Sequence, residues 1–169
     1  MDGVAPAILE SESATSIATV ESGDKLEITS PDFFYHDGRE PESVKEISCT
    51  GVFEFIPGKL RGIFMDECYR VLVPEGKMTV LTPYWSSWRA YYDARLEWPP
   101  ICEQSFLCYN KAWREVNMKN LELSCDFDFT YGYAWSQETQ ARNDESRSFW
   151  TAHYTNSVDA LQLTLTKRP

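Results

Sequence analysis

Histidine is scarce: His36 and His153 are the only two. His36-Asp37 has Asp32 nearby but no third ligand at a metal-site spacing, so no metal is expected. Positive charge is also short. Sixteen Lys and Arg stand against 26 Asp and Glu, a net charge of -10. No basic run is visible, which argues against binding to DNA, RNA or an acidic membrane, because the long-range field repels phosphate. No apolar run approaches the roughly 18 residues of a membrane span. The N-terminus lacks the positive start and apolar stretch of a secretion signal. A soluble, cytoplasmic protein is the expectation. The five cysteines are an odd number with no CxxC spacing, which speaks for reduced core thiols. Cys102, in Pro99-Pro100-Ile101-Cys102-Glu103, is the one expected to be exposed. There is no P-loop and no serine nucleophile elbow. No internal repeat is present.

Apolar residues are plentiful, at 43%, and six tryptophans lift the aromatic content to 14%. A chain of 169 residues with that content fills one core. Its organising stretch is Pro57 to Tyr84. Leu60, Ile63, Phe64, Cys68, Val71 and Leu72 recur at three- and four-residue spacing, which predicts an amphipathic helix over Lys59 to Leu72. Lys59, Arg61, Asp66, Glu67 and Arg70 are left for solvent. Pro74-Glu75-Gly76 predicts a tight turn with Gly76 at positive φ. Met78 to Leu81 then reads as a buried strand closed by Pro83. Helix, turn and buried strand are half of an α/β unit.

Residues 1–15 are small, polar and unpatterned and read as a flexible arm, leaving residues 16–169 as a single domain. Short strands are expected at Ser16 to Val20 and Lys25 to Thr29, with a turn at Glu21 to Asp24. Val44 to Cys49 reads as a buried strand, and Val52 to Ile56 as a loop or short turn before the helix. Ser105 to Asn117 predicts one helix with Phe106, Tyr109, Ala112, Trp113 and Val116 on its face, and Leu121 to Leu123 re-enters the core. Cys125 to Tyr133 and Val158 to Lys167 alternate apolar and polar residues and are expected to pair antiparallel. Between them Ser136 would cap a helix running to about His153. Pro83 to Pro100 is too polar for core and too aromatic for an ordinary loop: Tyr84, Trp85, Trp88, Tyr91, Tyr92 and Trp98 alternate with Arg89, Asp93 and Arg95.

Four pieces of the chain resemble the class I S-adenosylmethionine-dependent methyltransferases. Ser43-Val44-Lys45-Glu46-Ile47 is similar to that family's "SVDEI" strand, and Glu54-Phe55-Ile56-Pro57 to its "LEHIP" segment. Phe64 to Lys77 resembles its helix and turn, "F-x-E-x-x-R-V-L-K-P-G-G". Trp98 to Glu103 and Phe127 to Tyr133 resemble a short, bacteriophage-encoded subgroup. The resemblance covers about residues 40–167. It implies an α/β fold with a truncated Rossmann-like sheet and a C-terminal antiparallel strand pair. The departures lie at the cofactor end. Where the family carries a glycine-rich loop, this chain reads Ala18-Thr19-Val20-Glu21-Ser22-Gly23-Asp24-Lys25, with only Gly23 surviving. Between Lys25 and Val44 there is no room for an ordinary strand-helix-strand passage. Asp32 and Asp37 lack the context of a ribose-binding acid, and only Asp93 remains of the family's "DPTH" segment.

On this resemblance Gly23, Glu54 and Tyr84 would be the cofactor-binding residues, with no catalytic residue assigned. Glu54 follows a parallel strand at the edge where such sheets bind ligands, though a capping or solvated acid is the plainer reading. Trp85, Trp88, Arg89, Asp93 and Trp98 would form a partner or ligand surface, or else shield the sheet edge. Asp126 and Asp128 are read as solvated edge acids. The lost glycines imply a phage methyltransferase-like pseudoenzyme without a cofactor that acts by binding a protein partner or itself. The alternative is an active methyltransferase using S-adenosylmethionine in an atypical or dimer-completed site. A module that kept a nucleoside pocket without transfer is the third reading.

Overall fold

The computed structural model describes residues 19–22, 24–31 and 39–169. Gly23, Asp32, His36, Asp37 and the expected N-terminal arm lie outside them. Six strands form one sheet: β1 (Thr19–Ser22), β2 (Lys25–Ile28), β3 (Val44–Thr50), β4 (Leu72–Pro83), β5 (Phe127–Trp135) and β6 (Val158–Lys167). Their order is β1-β2-β3-β4-β6-β5. β2, β3 and β4 are parallel; β1 pairs antiparallel with β2, and β6 runs antiparallel between β4 and β5. This is a mixed Rossmann-like sheet with a C-terminal antiparallel pair. The alternation of leucines in β6 is the cleanest signal in the sequence: Leu161, Leu163 and Leu165 are all fully buried.

The segment matched to the glycine-rich loop folds otherwise. The expected turn at Glu21 and Ser22 is strand: both sit in β1, opposite Leu26 and Lys25 of β2. β1 and β2 are therefore a hairpin, not a strand leading into a helix.

The helix α1 (Arg61–Val71) begins two residues later than expected, after a 3-10 turn at Gly58–Leu60. Phe64, Met65, Cys68 and Val71 are buried against the sheet. Two positions reverse. Ile63 is 54% exposed, and Arg61, expected in solvent, is buried. The turn after α1 also differs. Glu75, not Gly76, takes the positive φ, at 64°. Gly76 is needed for space: a Cβ there would stand 2.8 Å from the Val73 carbonyl oxygen and 3.1 Å from that of Lys45. The turn is an outward loop within β4, since Val44 pairs with Leu72 and Glu46 with Lys77.

The expected helix over residues 105–117 is two pieces. A 3-10 segment, Glu103–Tyr109, buries Phe106 and Tyr109; Asn110 then caps α2 (Lys111–Asn117) by accepting from the Trp113 amide. Val116 is exposed because the break rotates it away from the core. Leu121 is exposed too, and Leu123 only packs against the core's rim. The last helix is likewise divided, into α3 (Gln137–Gln140), capped by Ser136, and α4 (Asp144–His153), capped by Asn143.

One face of the sheet carries Leu26, Ile28, Ile47, Cys49, Met78, Val80, Leu161, Leu163 and Leu165, all buried. Phe53 links this core to α1 and to the 3-10 segment, with ring centroids 5.9 Å from Phe64 and 5.2 Å from Phe106. The other face is polar. Across the strands run Lys25, Glu46, Lys77, Thr166 and Asp128, then Glu27, Ser48, Thr79, Thr164 and Thr130. All are exposed or half-buried, and among the described residues no helix covers them. Parallel sheets ordinarily bury both faces; here polar side chains replace the second layer.

Candidate functional site

Three parallel strands end on one edge, and in open α/β sheets that edge holds ligands. Beyond β2 come Thr29 and Pro31; beyond β3 come Gly51 and Val52. With Phe55 and Arg95 these residues line a cleft of about 400 Å³. Gly51 has φ +67°, a left-handed conformation that glycine adopts without strain. Its amide donates to the Leu81 carbonyl of β4 at 3.0 Å, which ties the loop to the sheet.

Glu54 lies just behind Gly51: a Cβ on that glycine would stand 4.0 Å from Glu54 Oε1. The 3-10 turn Phe53–Phe55 turns this side chain inward. It is 8% exposed, so it is neither solvated nor a surface cap. Burial raises its pKa, opposed by backbone hydrogen bonding, the Thr82 hydroxyl and the Arg61 guanidinium. Yet no hydrogen bond of ordinary length reaches Glu54 Oε2 or Thr82 Oγ1, and both atoms are buried. The two groups lie near each other without a well-formed bond, a costly arrangement at the carboxyl edge of the sheet. Nearby Cys49 is inert as a nucleophile, because burial, with the Glu54 charge second, pushes its thiol up to about 12.

Arg61 fixes the aromatic segment against α1. Its guanidinium donates to the carbonyls of Ile56 at 3.0 Å, Pro99 at 2.8 Å and Glu97 at 3.1 Å, and lies over the Phe53 ring. The Glu97 amide in turn donates to the Glu54 carbonyl at 2.9 Å. One buried arginine thus sets both the Glu54 turn and the segment carrying Trp98. Sequence reasoning missed it, because an arginine at the start of a helix reads as a solvated charge.

The other expected site residues separate. Tyr84 is 5% exposed and packs edge-on against Tyr133 at 5.3 Å, within the core. Asp93 is held by Arg95 through Oδ1 and Oδ2; this charged hydrogen bonding brings its pKa down to about 2. It is a loop ion pair outside the cleft, whereas Arg95 itself covers Phe55 at 5.3 Å and lines the cleft. Arg89 lies over the Trp88 ring, and Trp88 packs edge-on with Tyr92. Trp85 and Trp98 line a second groove, away from these, with Tyr91, Pro100, Cys102 and Gln104. Asp126 and Asp128 serve structure: Asp126 accepts from the Lys111 amide and Asp128 from Asn110. Among the described residues no three His, Cys, Asp or Glu are grouped to hold a metal ion. No described helix is long and apolar enough to cross a membrane.

Neither known family models nor curated proteins match this chain. Solved structures do. A SAM-dependent methyltransferase from Archaeoglobus fulgidus superposes with TM-score 0.52 at 9% identity, over 81% of this chain and 64% of that one. The chain has the methyltransferase fold. It spans less than two thirds of that relative's length. The [4+2]-cyclase SpnF matches with TM-score 0.46 and 11% identity over 81% of this chain and 54% of that one. The YcgJ protein from Bacillus subtilis matches with TM-score 0.41, 11% identity, and 80% and 69% coverage. At such identities the likeness concerns the class I methyltransferase fold at large.

Pro31, Val52 and Phe55 give the cleft an apolar wall, with Glu54 buried behind Gly51. What differs is the strand order. β2, β3 and β4 follow one another across the sheet without the reversal that opens a crevice between helices.

Proposed function

We propose that the chain is an atypical S-adenosylmethionine-dependent methyltransferase whose cofactor binds at the carboxyl ends of β2 and β3. The observation that carries this reading is the buried Glu54 carboxyl, whose Oε2 closes no well-formed hydrogen bond although the Thr82 hydroxyl lies close enough to favour its charge. Such groups cost free energy in the free protein, and a ligand that pairs them offsets it. S-adenosylmethionine would supply an electrophilic methyl group on a positively charged sulfur. Glu54 and Thr82 would bind its polar atoms, Gly51 would let it approach the backbone, and Phe55, Val52 and Pro31 would exclude water. Methyl transfer depends largely on positioning the acceptor, so the lack of an assigned general base does not count against it.

Calorimetric titration with S-adenosylmethionine and S-adenosylhomocysteine tests this. A one-site isotherm, weakened tenfold or more by Glu54→Gln, supports it; no heat at millimolar ligand overturns it. The unreversed strand order favours a second reading, in which a phage-type methyltransferase-like protein has lost the cofactor and acts by protein binding. The silent titration is the result this second reading expects.

A further inference from the structure

The groove between Trp85 and Trp98 is separate from the Glu54 edge, and its chemistry points to a different ligand. Trp85, Tyr91 and Trp98 supply three aromatic rings around a space of about 380 Å³, with Pro100, Cys102 and Gln104 completing the wall. Trp98 is 75% exposed and Tyr91 58%, and neither ring stacks on another among the described residues, so their faces are open. The frame beneath them is firm. The Tyr91 hydroxyl donates to the Trp85 carbonyl at 2.8 Å, and the Trp85 amide donates to the Ile101 carbonyl at 2.9 Å. Arg61 holds the carbonyls on both sides of Trp98. The Trp98 carbonyl packs against Gly58, where a Cβ would come within 2.8 Å.

Aromatic faces attract cations, tryptophan most strongly. No cationic side chain lines this groove, and the two nearest in sequence are engaged elsewhere: Arg95 with Asp93 and Phe55, Arg89 over Trp88. Two carboxylates are neighbours of its lining residues in sequence. Glu97 precedes Trp98, and Glu103 accepts from the Gln104 amide at 3.1 Å. The whole chain carries a net charge of -10. The groove is therefore complementary to a cation. It is a poor match for a primary ammonium, whose three N–H donors each need an acceptor, because the Gln104 carbonyl oxygen is the one amide or carboxylate acceptor among its lining side chains. The Tyr91 hydroxyl already donates inward, and the Cys102 thiol faces the Ser105 hydroxyl at 3.5 Å. A cation whose surface is methyl groups needs no such bonds.

We propose that the groove of Trp85, Tyr91 and Trp98 binds a small free molecule bearing a quaternary ammonium group. This does not rest on the methyltransferase reading. The test is a titration of the full chain, followed by tryptophan fluorescence and proton NMR, with tetramethylammonium and choline as probes. The neutral isostere 3,3-dimethyl-1-butanol and a trimethyl-lysine peptide are the comparisons. The expected result is saturable binding of the two cations, at least fivefold tighter than the isostere. Trp98→Ala should weaken it about fivefold or more, the size of a partly exposed cation–π contact. Trp88→Ala, an exposed tryptophan outside the groove, should leave it unchanged, which separates a local effect from a loss of fold. Equal binding of the isostere, no saturation, an unchanged Trp98→Ala, or a peptide preferred tenfold over choline would each overturn the proposal.

Discussion

At the residue scale the decisive group is Glu54. Its carboxyl has a folded pKa raised by burial above the unfolded value. A raised carboxyl pKa means that the native state resists ionisation. The resulting penalty is absent below the unfolded pKa of about 4.3 and fully present above the folded pKa. Stability should therefore fall as pH rises through that window. Glu54→Gln removes the charge and keeps the shape. Urea unfolding should show the variant more stable at pH 8 by about 1 kcal/mol, with a flatter pH slope. A variant that is more stable yet binds ligand less well is the mark of a group kept for function. Arg61 acts the opposite way, since three carbonyls depend on it. Arg61→Lys cannot reproduce that fork and should cost about 2 kcal/mol in the same unfolding measurement. Neither role was legible in the sequence. Glu54 was visible as an acid after a strand, but its burial comes from the 3-10 turn and from a segment some forty residues downstream.

At the scale of elements, two strands were read closely, whereas β4 was expected only over Met78 to Leu81 and runs Leu72–Pro83. A period of two survives local irregularity, and β3 and β6 fall within one residue of where alternation and apolar runs placed them. The helices were read too long, because apolar spacing continues across breaks that single polar residues impose. Asn110 and Asn143 each stop one piece and cap the next. The turn after α1 gives a paired prediction. Glu75→Gly should stabilise the protein by about 0.5–1 kcal/mol, because a side chain at φ 64° is strained. Gly76→Ala should destabilise it by about 1–3 kcal/mol, because its Cβ meets backbone oxygen that cannot yield. Thermal unfolding of both variants checks the order; the reverse order would mean that the turn is built otherwise.

For the whole molecule, apolar spacing and alternation carried the α/β class and the C-terminal pair, and the resemblance agreed with both. It did not carry the hairpin of β1 and β2 or the solvated face of the sheet. That face was present in the sequence as alternation in β2, where a parallel strand covered on both sides would be continuously apolar. The polar rows across it fit a chain that stands with helices on one side only. The central claim is that this reduced sheet still binds a ligand at its carboxyl edge. The most direct measurement is a 15N NMR titration with S-adenosylhomocysteine, read residue by residue. The account predicts saturable shifts centred on Thr29, Gly51, Glu54 and Arg95, with the Trp85 and Trp98 indoles unmoved. Spectra that stay unchanged at millimolar ligand, or shifts confined to the tryptophan groove, would contradict it.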